Sequence, residues 1–166
     1  MSSPREQYED LLRNAGCSPK VIAHCRAVTD CALEYAGNNP LIDRNLLEAG
    51  AMLHDIGRGK THSIHHAQTG ADICRALLFT EPVARIVECH TGAGLTADEC
   101  TLLHLLPRNC TPCTAEERIL AHADNLMVGT HKGRIEGTLG SAIHLSRKIR
   151  RRLYHLALDV ECLCKK

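Results

Sequence analysis

Tryptophan is absent from this chain of 166 residues, and three tyrosines and one phenylalanine are its only large aromatic side chains. No segment alternates apolar and polar residues with β-branched enrichment, so strands have little support. Long apolar runs are also missing. None approaches the roughly 18 residues of a membrane-crossing helix, which argues against a membrane partner. An excess of charge of one sign is lacking too: the formal charge is +1 with histidines neutral, so no global field points to nucleic acid. The opening residues Met1-Ser2-Ser3-Pro4-Arg5-Glu6 are polar and contain no apolar export core, so the expected location is cytoplasmic. A chain of this length can bury a real core, and one domain over residues 1–166 is the expectation.

Helix start signals, in contrast, recur. Ser3-x-x-Glu6, Thr96-x-x-Glu99 and Thr114-x-x-Glu117 have the form of capping boxes. Ser3-Pro4 and Ser18-Pro19 place proline at a first helical position, where its missing N–H costs nothing. Gly16, Gly37, Gly57 and Gly129 supply stops. These signals predict an all-α chain with helices over 4–15, 19–36, 44–56, 65–78, 81–90, 97–104, 115–128 and 141–162. The last forms a helical C-terminal extension over about 141–166, and the stretch 129–140 reads as a surface connection.

Ten cysteines without an export signal suggest thiols and not disulfides. Cys25, Cys74 and Cys89 fall on inward-looking positions, where a thiol behaves as a small hydrophobe. Cys110, Cys113, Cys162 and Cys164 could together supply thiolates to a structural zinc, but their irregular spacing favours reduced, unlinked cysteines. The basic run Arg147-Lys148-Ile149-Arg150-Arg151-Arg152 lies in the last predicted helix. With no aromatic residue interleaved for base stacking, it reads as the solvated face of an amphipathic helix, not as a nucleic-acid contact.

One constellation carries chemistry. In the 19–36 helix Val21, Cys25, Val28 and Ala32 form an apolar stripe, and His24 lies on its inward edge. The 44–56 helix is apolar nearly all round, so His54 and Asp55 end a buried helix. Asp124, at helical spacing from Leu120 and Met127, turns inward as well. An ionised carboxylate in such a place needs a cation, and no lysine or arginine stands at helical spacing to provide one. His and Asp together suit a borderline-to-hard divalent metal.

The order His24…His54-Asp55…Asp124 resembles the HD-domain superfamily of metal-dependent phosphohydrolases. His54-Asp55-Ile56-Gly57 is similar to the HDIG variant of its signature, His66-Ala67-Gln68-Thr69-Gly70-Ala71 to its H-x-x-x-G-A segment, and His90-Thr91-Gly92 to its later histidine. The match runs from about His24 to Asn125. The resemblance implies a single-domain helical bundle with a buried site for one or two divalent transition ions, such as iron, manganese, zinc, cobalt or nickel. His24, His54, Asp55 and Asp124 would hold the first ion; His66 and His90 would join Asp55, as a bridge, at the second. His62 and His65 are rivals for the place of His66.

A metal in such a site would acidify a bound water, and a second would clamp phosphate oxygens. Arg58 and Lys60, just past the His-Asp pair, could neutralise a substrate phosphate, and His62 could protonate the leaving oxygen. The implied function is hydrolysis of a small nucleotide-like phosphoester: a cyclic phosphodiester, a phosphomonoester or a dinucleoside polyphosphate. The alternative is a regulatory module that binds metal or nucleotide without turnover. As to partners, a small phosphorylated substrate is expected, and a homodimer stays open.

Overall fold

The helix signals act where the sequence places them. The Ser3, Thr96 and Thr114 hydroxyls each accept from the backbone N–H three residues on, and Glu6, Glu99 and Glu117 reach back to complete the boxes. In the structure, a computed structural model that describes residues 3–164, these and similar caps open a succession of helices. They are α1 (Pro4–Ala15), α2 (Pro19–Ala36), α3 (Arg44–Leu53), α4 (His66–Ala76), α5 (Glu81–Glu88), α6 (Ala97–Leu102), α7 (Ala115–Leu126), α8 (Ile135–Ser141) and α9 (Arg147–Cys164). A 3-10 turn, Ile56–Gly59, separates α3 from α4. The fold is all-α, and no helix among the described residues is long and apolar enough to cross a membrane.

Two apolar clusters meet along α2, α3 and α5. One gathers Val28, Leu47, Ile86, Ile119, Leu120, Leu153 and Val160. The other gathers Leu12, Ile22, Met52, Leu53, Ile56, Val83 and Val87. Helix α3 feeds both clusters, as its apolar sequence demands, so its C-terminal end emerges where they adjoin. Cys25, Cys74 and Cys89 are buried within the helical packing as expected, and all ten cysteines are free. Cys110 is buried and Cys113 and Cys162 are exposed; among the described residues no cysteine joins a metal-ligand cluster.

The structure corrects the sequence reading in three places. Helix α3 ends at Leu53 and not at 56, because the His54 ring itself takes up a terminal carbonyl, with Nδ1 donating to Ala51 O at 2.7 Å. His54 and Asp55 therefore lie in the junction between α3 and the 3-10 turn. Gly57 caps nothing. A Cβ there would collide with the His66 carbonyl and lie 2.7 Å from Gly70 N, so glycine lets the turn press against the start of α4.

Second, the segment after α7 holds a small hairpin, β1 (Met127–Val128) paired antiparallel with β2 (His131–Lys132). Gly129 adopts φ +64, and with Thr130 it makes the two-residue loop for which a glycine in the first central position is the usual signal. Third, the predicted 141–162 helix begins only at Arg147, and the stretch read as a surface connection over 129–140 holds a further short helix, α8. Ile149 N donates to Ser146 Oγ at 3.3 Å, so the last helix starts at a serine cap that the sequence reading passed over.

Candidate metal centre

Six side chains from five places in the fold converge at the α3 terminus. His24 comes from α2, His54 and Asp55 from the junction, His66 from the first residue of α4, His90 from just after α5, and Asp124 from the last turn of α7. His54, Asp55, His66 and His90 are buried. His24 Nε2 lies 3.0 Å from Asp124 Oδ1 and 4.0 Å from Asp55 Oδ2. His54 Nε2 lies 3.6 Å from Asp124 Oδ1 and 3.8 Å from Asp55 Oδ2. On the other side of Asp55, Oδ1 is 3.3 Å from His66 Nε2 and 3.7 Å from His90 Nε2. The two carboxylate oxygens thus face two separate groups of histidines, the arrangement a bridging carboxylate requires.

The second nitrogen of every ring is already committed. Nδ1 donates to a backbone carbonyl in all four histidines: His24 to Gly129 O, His54 to Ala51 O, His66 to Ser63 O and His90 to Val87 O, at 2.6 to 2.8 Å. This turns each Nε2 inward, as metal-binding histidines are commonly held, with that of His24 donating to Asp124 Oδ1 at 3.0 Å. The consequence is sharpest between His66 and His90, whose Nε2 atoms stand 3.1 Å apart. With both Nδ1 positions protonated, two lone pairs face each other with no hydrogen between them. His54 Nε2 is likewise buried without a hydrogen-bond partner. Such atoms are costly unless a cation takes the lone pairs.

The electrostatics divide the centre: burial would lower His24 and His54, but Asp124 at His24, and Cys25 with Asp55 at His54, raise both, whereas burial prevails at the other two rings. Burial, with His54 beside it, pushes His90 down to about 4, and burial also lowers His66. Both rings are then neutral near pH 7, the form that can ligate. Burial alone would raise Asp55, but the neighbouring imidazoles and the Arg58 guanidinium hold it below its ordinary range. At Asp124 burial is likewise outweighed, by the hydrogen bond from His24 and by the imidazoles around it. Ligand atoms of His24, His54 and Asp124 all lie within 4.8 Å of one another, as do those of His54, Asp55 and His90, so both clusters could hold a metal.

Other expectations fare unevenly. His65 is turned away, with Nε2 donating to His104 O at 3.2 Å, so His66 and not its neighbour joins the group. His122 is buried elsewhere, edge-on to Tyr35. The expectation that no cation stands at helical spacing is wrong: Arg58, three residues after Asp55 across the 3-10 turn, donates from Nε to Asp55 Oδ1 at 2.9 Å. A cleft of 650 Å³ opens over the centre, and His24, Asp55, Arg58 and His62 line it. Lys60 is exposed and is not among the residues lining it. Lys20 lines it instead, with the hairpin tip through His131. Lys20 could have been found, since it stands one helical turn before His24. The hairpin tip required the turn at Gly129 to be recognised.

The chain belongs to the HD-domain family, whose model matches residues 21–129. Among its relatives, an uncharacterized protein of Methanocaldococcus jannaschii is 43% identical over 138 residues, which cover 81% of each chain. A tRNA (cytidine(56)-2′-O)-methyltransferase of Picrophilus torridus is 44% identical over 117 residues, or 70% of this chain but only 34% of its own length. The corresponding methyltransferase of Thermoplasma volcanium is 43% identical over 127 residues, which cover 76% of this chain and 37% of its own length. No solved structure matches.

Proposed function

We propose that this protein is a metal-dependent phosphohydrolase acting on a phosphoester of a small nucleotide or nucleotide-like molecule. The observation that carries this reading is the pair of inward Nε2 atoms of His66 and His90, 3.1 Å apart with no proton to share. Beside them Asp55 offers one oxygen to each half of the centre. Bound divalent ions, with iron, manganese, zinc, cobalt or nickel all compatible with this donor set, supply Lewis acidity toward a phosphate and an acidified water.

The chain's own residues do the rest. Arg58 spends Nε on Asp55 and Nη1 on the His62 carbonyl, which leaves further N–H groups of its fork for a phosphate oxygen. His62 lines the cleft with an exposed ring, and in this reading it gives a proton to the leaving oxygen. Lys20 adds a second cation at the rim, in the role the sequence assigned to Lys60. The 650 Å³ cleft falls in the size range of small-molecule sites. Two relatives are tRNA methyltransferases in which the matched stretch is about a third of the protein; their names favour a ribonucleotide among small phosphoesters.

The test is phosphate release from a panel of phosphomonoesters, cyclic phosphates and dinucleoside polyphosphates. Turnover should depend on added Mn²⁺, Fe²⁺ or Co²⁺ and stop with chelator. It should fall at least about a hundredfold in Asp55→Ala or Asp124→Ala. Arg58→Ala should raise KM while metal content is retained. A metal-replete protein inert toward every class would leave the regulatory-module reading in its place.

A further inference from the structure

A second cleft, of 1070 Å³, runs between α8 and the first half of α9, and none of the six candidate ligands lines it. Arg147, Arg150, Arg151, Tyr154 and His155 recur along it at spacings of three, four, seven and eight residues, which puts them on one face of α9. The opposite positions Leu153, Leu156 and Val160 are buried in the core. In the linear sequence the basic run has no interleaved aromatic. Helical winding supplies one, because Tyr154 comes round to the cationic face and is 48% exposed.

Carboxylates neutralise only part of the basic run. Here Arg152 is taken by Glu99 at 2.8 Å, and Lys148 approaches the same carboxylate at 4.0 Å. Among the described residues, no ion pair holds Arg147, Arg150 or Arg151. Arg151 Nε instead donates to His155 Nε2 at 3.3 Å, and Arg150 Nε is buried without a partner. With a net charge of only +1 on the whole chain, three unpaired guanidiniums in one groove are a local concentration and not a general bias.

We propose that this groove docks a strand of RNA, with the guanidiniums on successive phosphates and Tyr154 stacked on a base. Phosphate contacts supply affinity and aromatic stacking supplies sequence-tolerant grip. The choice of RNA over DNA rests on the ribonucleotide reading of the metal centre; the surface itself does not. The two regions share a wall. Arg152 donates to Gly94 O at 2.9 Å and Asn125 Nδ2 to Gly92 O at 2.8 Å, so α9 and α7 grip the loop that begins at His90.

The experiment is fluorescence anisotropy with a short labelled single-stranded RNA over a series of KCl concentrations. Arg147→Ala/Arg151→Ala should weaken binding about tenfold or more and reduce the log–log salt slope by about 1.4, two phosphate contacts on a single strand. Tyr154→Ala should weaken it about tenfold with the slope unchanged. Melting temperatures and metal content should match the wild type in all of these. No RNA binding by the wild type, or an unchanged double variant, overturns the proposal. Equal affinity for DNA of the same sequence overturns the choice of RNA. Binding to phosphatidylglycerol vesicles in place of RNA makes the groove a membrane surface and overturns it too. Asp55→Ala separates the two readings. RNA binding kept in this variant without turnover is expected, as is small-substrate turnover kept in Arg147→Ala/Arg151→Ala; RNA binding lost in Asp55→Ala would put the RNA at the metal centre and overturn the groove.

Discussion

His54, His66 and His90 each give Nδ1 to the carbonyl three residues back, and His24 gives its Nδ1 to Gly129 in the hairpin, so ring orientation is set by backbone before any ion arrives. Asp55 alone touches both groups, and this singles it out among the six. Asp55→Ala should remove all bound metal, whereas His66→Ala and His90→Ala should each lower metal content by about one ion with the fold intact. Elemental analysis of protein purified without chelator reads both. Full metal in Asp55→Ala would exclude the centre as drawn, and wild-type stoichiometry in both histidine variants would make it mononuclear. At this scale the sequence was informative: the six converging side chains were legible from spacing and local text. The preference for His66 over His65 came from the motif, and only the start of α4 shows why it holds, since His66 is the residue whose ring reaches Ser63 O and Asp55 together.

Among the elements, the 3-10 turn Ile56–Gly59 matters most, because it carries Asp55 and Arg58 past the first turn of α4. Its close approach depends on Gly57, whose added Cβ would meet backbone and not a flexible side chain. Gly57→Ala should therefore cost about 1–3 kcal/mol by overpacking and loosen the centre. Gly137→Ala, in α8 with nothing within 4 Å, should be neutral or stabilise by up to about 1 kcal/mol through helix propensity. Chemical denaturation of the two variants side by side checks this. A Gly57→Ala protein as stable as wild type would mean that the turn is free to shift. Capping boxes were legible because each is a local exchange of two hydrogen bonds. The turn and the Gly129 hairpin were not, because what defines them is contact with α4 and with His24.

Across the whole molecule, glutamate–arginine pairs tie one helix to another: Glu9 on α1 to Arg26 on α2, Glu81 on α5 to Arg75 on α4, and Glu99 on α6 to Arg152 on α9. The arginine hydrogen bonds hold Glu9 and Glu81 below the ordinary glutamate range. At Glu99 burial acts first and upward, and Arg152 outweighs it. A carboxyl held low contributes stability above its unfolded pKa of about 4.3 and loses it as pH falls toward the folded value. Metal-free protein should accordingly lose melting temperature between about pH 5 and pH 3. Glu99→Gln keeps the capping box with Thr96 but not the charge, so it should start about 1 kcal/mol less stable at neutral pH and converge with wild type in acid. Parallel curves at every pH would show that Arg152 takes nothing from the charge.

The sequence by itself determined the helical class, most helix starts and the identity of the six converging side chains, because caps, apolar periodicity and the His-Asp order are local properties of the chain. Tertiary structure alone decided that Arg58 sits on Asp55, that Lys20 and His131 and not Lys60 face the cleft, and that Tyr154 joins the arginines of α9. Each of these depends on how a turn or a helix face is rotated against its neighbours, and that rotation is set by packing between segments far apart in the chain.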